Sequence, residues 1–494
     1  MNAVARILEW PSQFEDALGL ALWDAVEIAR AVGGVAVGEF QCAGVEIDSR
    51  DVVDGDLFFA LKGEAMDGHK FVGAAFAKGA AAVVVDRPVA GPHVLVGDTG
   101  AALELLAKAA RSRSVGKIIG VTGSVGKTGV KEAIFAALDR ASRGKAHRSL
   151  KSYNNHVGVP LSLARLPARA KFGVFELGMN HAGEIAALTR QVRPDVAVIT
   201  TIAPAHIEML GSEEAIADAK SEIFEGLEPG GIAVVPADSP HYARLKEAAE
   251  RHGAALVSFG RAAHSSVRLL DAVPAPGGGS LVTADLGDRR ICYTVAEPGE
   301  HWIVNSLAVM AAVRAVGGDL GAAGLALAEL QGMKGRGARS LIPAGRGDLS
   351  GRALLIDESY NANPASMRAT LAQLGATKAV RRVAVLGAMK ELGEHGPAYH
   401  AELAGPLHAA GIDHAVLVGE EMRALADELR DDQLGTSGAG SLGNALSFAH
   451  CSTAREAIAH LREFGVEGGD AVLVKGSNSV GLGTLVTALV TGKE

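Results

Sequence analysis

The short β-branched run Lys117–Val121 passes through the glycine-rich turn Gly120-Val-Thr-Gly-Ser-Val-Gly-Lys127-Thr128 directly into the helical spacing of Gly129–Ala137. A buried strand that ends in glycines and opens a helix belongs to open, mostly parallel α/β sheets, because such strands need helical crossovers. The same turn presents free backbone N–H groups to an anion at the positive end of the helix dipole. Gly123 and Gly126 permit close backbone approach, Lys127 is placed to reach outer phosphates, and the Thr128 hydroxyl to help hold Mg²⁺. The strict phosphate-loop pattern has glycine where Val121 stands, with Gly120 and Gly123 beside it.

Composition sharpens this. A net charge of -8 leaves no basic footprint for nucleic acid, so phosphate is held locally by amides and a few cations. Aromatics make up only 4%, which disfavours stacking platforms for bases or sugars. At 494 residues the chain predicts three domains at roughly 150 residues each. Cys42, Cys292 and Cys451 are far apart and form no CxxC pair, so a reducing compartment is expected. The segment Met1–Leu22 carries Arg6, Glu9, Glu15 and Asp16 and lacks the plan of a signal peptide. Gly476–Gly492 reads as a loop and a helix, not a membrane span. A cytoplasmic protein follows.

Strand and helix patterns divide the chain at 1–112, 113–335 and 336–494. The first block holds strand candidates Gly44–Ile47, Leu57–Leu61, Ala81–Val85 and His93–Val96, and the helix Ala101–Arg111. The second continues from the phosphate loop with strands Phe172–Leu177, Val196–Ile202, Ile232–Pro236 and Leu256–Phe259. Period-two runs between Val267 and Ala296 predict a small antiparallel flap, followed by the helix Trp302–Val316. A glycine-rich stretch, Gly332–Gly351, separates a third block. Its strands Ala353–Asp357, Val383–Leu386, Ala415–Val418, Leu446–His450 and Ala471–Val474 alternate with helices Met367–Leu374, His400–Ala410 and Thr453–Phe464. This predicts a second, Rossmann-like open sheet.

Three polar residues follow strands of the same predicted sheet as the loop. Glu176 ends Val174-Phe-Glu-Leu-Gly178, His206 lies in Ala203-Pro-Ala-His-Ile-Glu208, and Thr128 is in the loop itself. Ligands bind at the carboxyl ends of such strands, so the three converge on one edge as a plausible Mg²⁺ site. Lys220, in Asp218-Ala-Lys-Ser-Glu-Ile-Phe224, has the pattern of an ordinary exposed helix lysine.

The chain resembles the Mur ligase family over essentially its whole length. The resemblance rests on Thr122–Thr128, Asn154-Asn-His-Val-Gly-Val-Pro160, Glu176-Leu-Gly-Met-Asn180, His206 with Lys220, and Gly299-Glu-His-Trp-Ile-Val-Asn305. It continues through Asp357-Glu-Ser-Tyr-Asn-Ala-Asn-Pro364, Val385-Leu-Gly-Ala-Met-Lys-Glu-Leu-Gly393 and Val474-Lys-Gly-Ser477. Within the family, Ser359–Pro364 and Asn154–Pro160 are similar to members that add D-alanyl-D-alanine to a UDP-N-acetylmuramoyl-tripeptide during peptidoglycan precursor synthesis.

That resemblance implies an ATP-dependent amide ligase working through an acyl phosphate. ATP phosphates would lie on Gly123, Ser124, Val125, Gly126, Lys127 and Thr128. Thr128 and Glu176 would hold one Mg²⁺, and His206 with a CO₂-carbamylated Lys220 a second. His301 and Asn305 match the adenine-side motif, Asp357 or Glu358 the ribose contact, and Arg336 the hinge arginine. Tyr360, Asn363 and Lys475 would supply the C-terminal share of the nucleotide and dipeptide site, with Asn154 and Asn155 as further substrate candidates. Ser49, Arg50, Lys62, Gly63, Asp67 and His69 would receive the UDP-sugar, and the C-terminal domain would close on ATP. A monomer is expected. Three residues depart from common family forms: Gly129 for threonine, Ala388 for an acidic residue, and Glu358 for aspartate. A third-residue-adding Mur ligase or a folate polyglutamate ligase stays open, as does a phosphate-loop switch protein, although no Asn-Lys-x-Asp motif is present. The third residue of the tripeptide is left undecided.

Overall fold

The computed structural model describes residues 21–63, 66–204, 207–276, 278–345, 351–436 and 446–492. Among them three α/β domains follow one another along the chain, each with its own sheet and core.

The first domain contains β1 (Trp23–Asp24), β2 (Val35–Val37), β3 (Gln41–Cys42), β4 (Gly44–Glu46), β5 (Asp56–Phe59), β6 (Ala82–Val85) and β7 (His93–Leu95). A five-stranded sheet has the order β2-β7-β6-β5-β4, and β1 pairs with β3 as a small ribbon. Its core is continuous with the next domain, because Leu161 and Ala164 pack into it and the Trp23 indole donates to Ala164 O at 2.8 Å.

The second domain is a nine-stranded sheet built from β8 (Lys117–Thr122), β9 (Ala146–Arg148), β10 (Phe172–Glu176), β11 (Val196–Ile199), β12 (Ile232–Pro236), β13 (Ala255–Gly260), β14 (Val267–Pro274), β15 (Ser280–Asp285) and β16 (Arg290–Val295). The order is β16-β15-β14-β13-β12-β11-β8-β10-β9. Helices Lys127–Ser142 and Glu300–Ala315 cover one face, and Glu184–Val192, Glu213–Ser221 and Tyr242–Arg251 the other. Coverage on both faces explains why β8, β10 and β11 read as continuous apolar runs. Each fully buried Ile or Val there contributes about 1.5–3 kcal/mol. The expected flap is corrected: Phe259 pairs with Val267 in parallel, so β14–β16 extend the central sheet instead of standing apart.

The third domain holds β17 (Ala338–Ala344), β18 (Gly351–Glu358), β19 (Arg382–Gly387), β20 (His414–Val418), β21 (Ser447–Cys451) and β22 (Ala471–Lys475) in the order β17-β18-β22-β19-β20-β21. All pairs are parallel except β17 with β18. The glycine-rich separator therefore carries a strand. The helix expected over His400–Ala410 is two, Gly396–Ala401 and Ala404–Ala409, with Pro397 and Pro406 in their first turns. No helix among the described residues is long and apolar enough to cross a membrane.

Candidate active site

Register across the central sheet assembles the site. Val121 at the end of β8 lies opposite Glu176 of β10, and Thr122 lies opposite Ile199 of β11. The loop, the carboxylate and the segment after β11 thus share one sheet edge, at the point where strand order reverses around β8.

The loop is held from that side. Thr200 Oγ1 donates to Val125 O at 2.6 Å, and Ser124 Oγ donates to Ala203 O at 2.9 Å. Gly123 has φ +147°, and a Cβ there would lie 2.0 Å from Thr200 Oγ1; no larger residue fits. Gly126, with φ +87°, receives Asn305 from helix Glu300–Ala315, whose Nδ2 would be 2.9 Å from an added Cβ. The Lys127 ammonium rests on Gly123 O at 2.7 Å. Burial pulls its pKa below the ordinary lysine value, Glu176 opposes this, and Arg336 adds to it.

Glu176 is buried, with both carboxylate oxygens occupied by neutral donors. Thr128 Oγ1 donates to Oε2 at 2.8 Å, and Asn154 Nδ2 donates to Oε1 at 2.8 Å. Lys220, in the last turn of Glu213–Ser221, is buried as well. Burial drives its pKa well down, and the charged group acting on it is another cation, Lys127. His206 lies outside the described residues.

A cleft of about 620 Å³ opens between the second and third domains. It is lined by loop residues Ser124–Lys127, by Asn154, Asn155, Glu176, His301 and Asn305, and across the gap by Arg336, Glu358, Tyr360, Asn363 and Lys475. Arg336 lies over the Tyr360 ring at 4.3 Å and donates to Ser152 Oγ at 3.1 Å. Lys475 is buried at the end of β22, donates to Asn361 O at 3.0 Å, and stands 3.6 Å from Glu358. Burial depresses its pKa against the pull of Glu358. His301 is pushed down to about 4 by burial, with Lys475 adding, so its imidazole is neutral near pH 7.

Some expected residues are placed elsewhere. Asp357 does not line the cleft: its carboxylate accepts from Gly335 N at 2.8 Å and from Ser359 Oγ at 2.6 Å, which ties the end of β18 to the segment that precedes β17. Asn363 lines the cleft but also caps helix Pro364–Ala376 by accepting from Ser366 N at 2.9 Å. Ser49, Arg50, Lys62, Gly63, Asp67 and His69 lie in the first domain, outside this cleft's lining. Arg50 is exposed and paired with Asp48 at 2.6 Å, while His69 is clamped between Asp67 at 2.8 Å and Asp86 at 3.0 Å. Thr200, Ser152 and Trp302 were not singled out from sequence. Their roles depend on cross-sheet register and packing, for which a single sequence carries no local signal.

Known proteins share this architecture. Residues 41–111 match the Mur ligase family catalytic domain, residues 121–313 the Mur ligase middle domain, and residues 345–478 the Mur ligase glutamate ligase domain. A UDP-N-acetylmuramoyl-tripeptide–D-alanyl-D-alanine ligase of Synechocystis sp. is 37% identical over 456 residues, covering 90% of this chain and 91% of the relative. The chain belongs to the Mur ligase family. A protein of the same name from Escherichia coli is 36% identical over 79% of this chain and 85% of its own. Among solved structures, MurF from Acinetobacter baumannii superposes with a TM-score of 0.78 at 29% identity, covering 95% of this chain and 100% of its own. MurF ligase from Thermotoga maritima, solved in complex with ADP, gives 0.68 at 25% identity over 90% and 96%.

The departures of this Mur ligase from common family forms have local reasons in part. A Cβ at Gly129 would lie 2.9 Å from the Trp302 ring, so Trp302 occupies the space a side chain there would need. Ala388 is fully buried with its methyl facing Gly419, so an acidic side chain there would be taken out of water.

Glu297, buried beside the hinge, is lifted to about 7 by burial, with Arg339 opposing and Glu358 adding to the rise. The folded protein holds this proton more tightly than the unfolded chain. Its contribution to stability is therefore complete below the usual value of 4.5 and is lost as pH rises through about 7. Glu297→Gln is expected to add about 2 kcal/mol at pH 8 and almost nothing at pH 4.5. Thermal unfolding at both pH values checks this, and an equal shift at both would contradict it.

Proposed function

We propose that the chain joins D-alanyl-D-alanine to UDP-N-acetylmuramoyl-tripeptide in peptidoglycan precursor synthesis, with ATP as co-substrate. One observation carries the reading: a phosphate loop and the buried Thr128–Glu176 pair face Lys475, Glu358 and Arg336 of the third domain across a single cleft. The names of the Synechocystis and Escherichia coli relatives support the choice of substrates. Residues 1–112 would bind the UDP-sugar, 113–335 ATP, and 336–494 would close on ATP and bind the dipeptide. The enzyme would work as a cytoplasmic monomer.

The terminal carboxylate oxygen of the tripeptide attacks the γ-phosphorus of ATP, the bond to the bridging oxygen breaks, and ADP leaves. The dipeptide amine then attacks the acyl carbon of the resulting acyl phosphate. The carbon–oxygen bond breaks, inorganic phosphate leaves, and the amine proton is released as the amide forms. Lys127 and the amides of Gly123–Gly126 hold the phosphates, and Lys475 and Arg336 bring positive charge from the opposite wall. Neutral His301 and Asn305 would contact the adenine side, and Glu358 the ribose.

The residues present suit divalent cations. Among the described residues the buried Glu176 carboxylate is bonded by Thr128 and Asn154 and makes no direct ion pair. Thr128 and Glu176 would hold one Mg²⁺, and His206 with Lys220 a second; when bound, these ions neutralise phosphate charge. Carbamylation fits Lys220. Burial beside a like charge favours its neutral amine, which attacks the carbon of CO₂, forms the nitrogen–carbon bond and releases one proton. The product is an anion with oxygen ligands in place of a cation.

An amine-donor screen tests the substrate assignment. ADP release is expected with UDP-tripeptide plus D-alanyl-D-alanine. Release with UDP-dipeptide plus lysine or diaminopimelate instead would replace this reading with a third-residue ligase. Running both UDP-tripeptides, with lysine or meso-diaminopimelate as third residue, settles which is accepted.

A further inference from the structure

Helix Lys127–Ser142 carries a second lysine one turn beyond Lys127, and its side chain is 0% exposed. Three oxygens surround the Lys131 ammonium: Ser149 O at 2.8 Å, Lys151 O at 3.0 Å, and Glu132 Oε1 at 2.8 Å. Glu132 is in turn held by Arg148 at 2.8 Å. A buried ammonium is costly unless fully partnered, and an apolar side chain would fill the same space at lower cost. The function of this lysine lies in what it holds.

It holds the segment 149–155, where the three domains meet. Ser149 Oγ accepts from Glu176 N at 3.1 Å, and Asn154 donates its side-chain amide to Glu176 Oε1 at 2.8 Å. Asn154 O accepts from Gly178 N at 2.8 Å. Lys151 reaches Asp51 of the first domain at 2.7 Å, and Ser152 accepts from hinge residue Arg336 at 3.1 Å. Lys151 has φ +50°, a left-handed conformation unfavourable for a residue with a Cβ. Such strain persists only where the surroundings over-determine it, and Lys131 binds the Lys151 carbonyl itself.

We propose that Lys131 is a positioning residue for the Glu176 centre. It fixes the 149–155 segment so that Ser149 and Asn154 orient the Glu176 carboxylate toward Thr128 and the phosphate loop. Its ammonium faces the carbonyls of Ser149 and Lys151 and does not line the cleft. The inference rests on the ligase reading for its consequence in catalysis, but not for its effect on metal-dependent nucleotide binding.

The test is calorimetric titration of ADP into the full-length wild type and Lys131→Met over a range of Mg²⁺ concentrations, with ligation kinetics alongside. In Lys131→Met the Mg²⁺ needed for half-maximal ADP affinity is expected to rise about 10-fold or more, and kcat to fall about 100-fold. The KM for UDP-tripeptide stays within about twofold, because the Lys151–Asp51 pair that ties this segment to the first domain is exposed on both sides and contributes little. Unchanged Mg²⁺ dependence, or a uniform rise in every KM, would overturn the proposal. If Lys131→Met does not fold, Ser149→Ala decides. It removes one hydroxyl from the same network and is expected to shift the Mg²⁺ dependence in the same direction; no shift overturns the idea. A wild type that binds Mg²⁺-ADP but does not ligate the dipeptide would count against the ligase reading and leave the Lys131 comparison intact.

Discussion

Lys127→Ala is expected to lower kcat/KM for ligation by about 10³-fold or more, the loss of roughly 4 kcal/mol of transition-state stabilisation. The reason is geometric and electrostatic. The lysine opens helix Lys127–Ser142, its ammonium rests on Gly123 O at 2.7 Å, and it lines the cleft beside Glu176. Phosphate arriving at the loop offers a stronger partner than a carbonyl, so the ammonium moves from backbone to substrate. Partial burial strengthens that interaction, because little water screens it. Alanine keeps the helix and the loop glycines, so the fold should survive. A coupled assay for ADP release checks the effect, and wild-type turnover in the variant would remove the loop from the phosphate site.

Lys220→Ala should cost nearly as much, about 10²- to 10³-fold in kcat, with partial recovery on addition of formate, acetate or propionate. Lys220 is buried at the end of Glu213–Ser221, and the nearby charge acting on it is Lys127. A buried ammonium with a second cation as its neighbouring charge is an unfavourable arrangement. Conversion of Lys220 to a carbamate would reverse its sign and supply oxygen ligands. Alanine leaves a cavity of about the size of a small carboxylic acid, which can carry the missing negative charge into the site. Steady-state rates with and without each acid make the test. Full activity without any acid, or recovery by alkylamines in place of acids, would contradict the carbamate.

Much of this was visible in the sequence where local pattern and position coincide. The β8–loop–helix unit declares itself through apolar residues, glycines at positive φ, and Lys127-Thr128. Glu176 could be placed because strand ends in a parallel sheet share an edge. Pairing partners could not be read. The alternation over Val267–Val295 predicts strands, and hence a small flap, but not that β14 pairs with β13. β9 (Ala146–Arg148) is partly exposed at an edge and has no periodicity to detect. β17 was hidden in a glycine-rich stretch, its pairing with β18 being a long-range fact.

The lysines make the same point within the site. Lys220 has the sequence pattern of an exposed helix lysine, and Lys131 sits in a helix with equally ordinary charged neighbours. Packing buries both, and only the fold tells one from the other. Lys131 finds three oxygens, whereas Lys220 is left beside a second cation. Similarly, Asp357 and Glu358 are adjacent and equally acidic. The alternating strand geometry turns Asp357 toward the segment that precedes β17 and leaves Glu358 on the cleft.

The most direct test of an ATP-driven ligase uses UDP-tripeptide labelled with ¹⁸O in its terminal carboxylate. With D-alanyl-D-alanine, Mg²⁺ and ATP, one labelled oxygen should appear in each inorganic phosphate released, with ADP and the new amide formed in equal amounts. Unlabelled phosphate, or ATP hydrolysis that proceeds equally well without the dipeptide, would contradict acyl-phosphate ligation and favour a nucleotide switch.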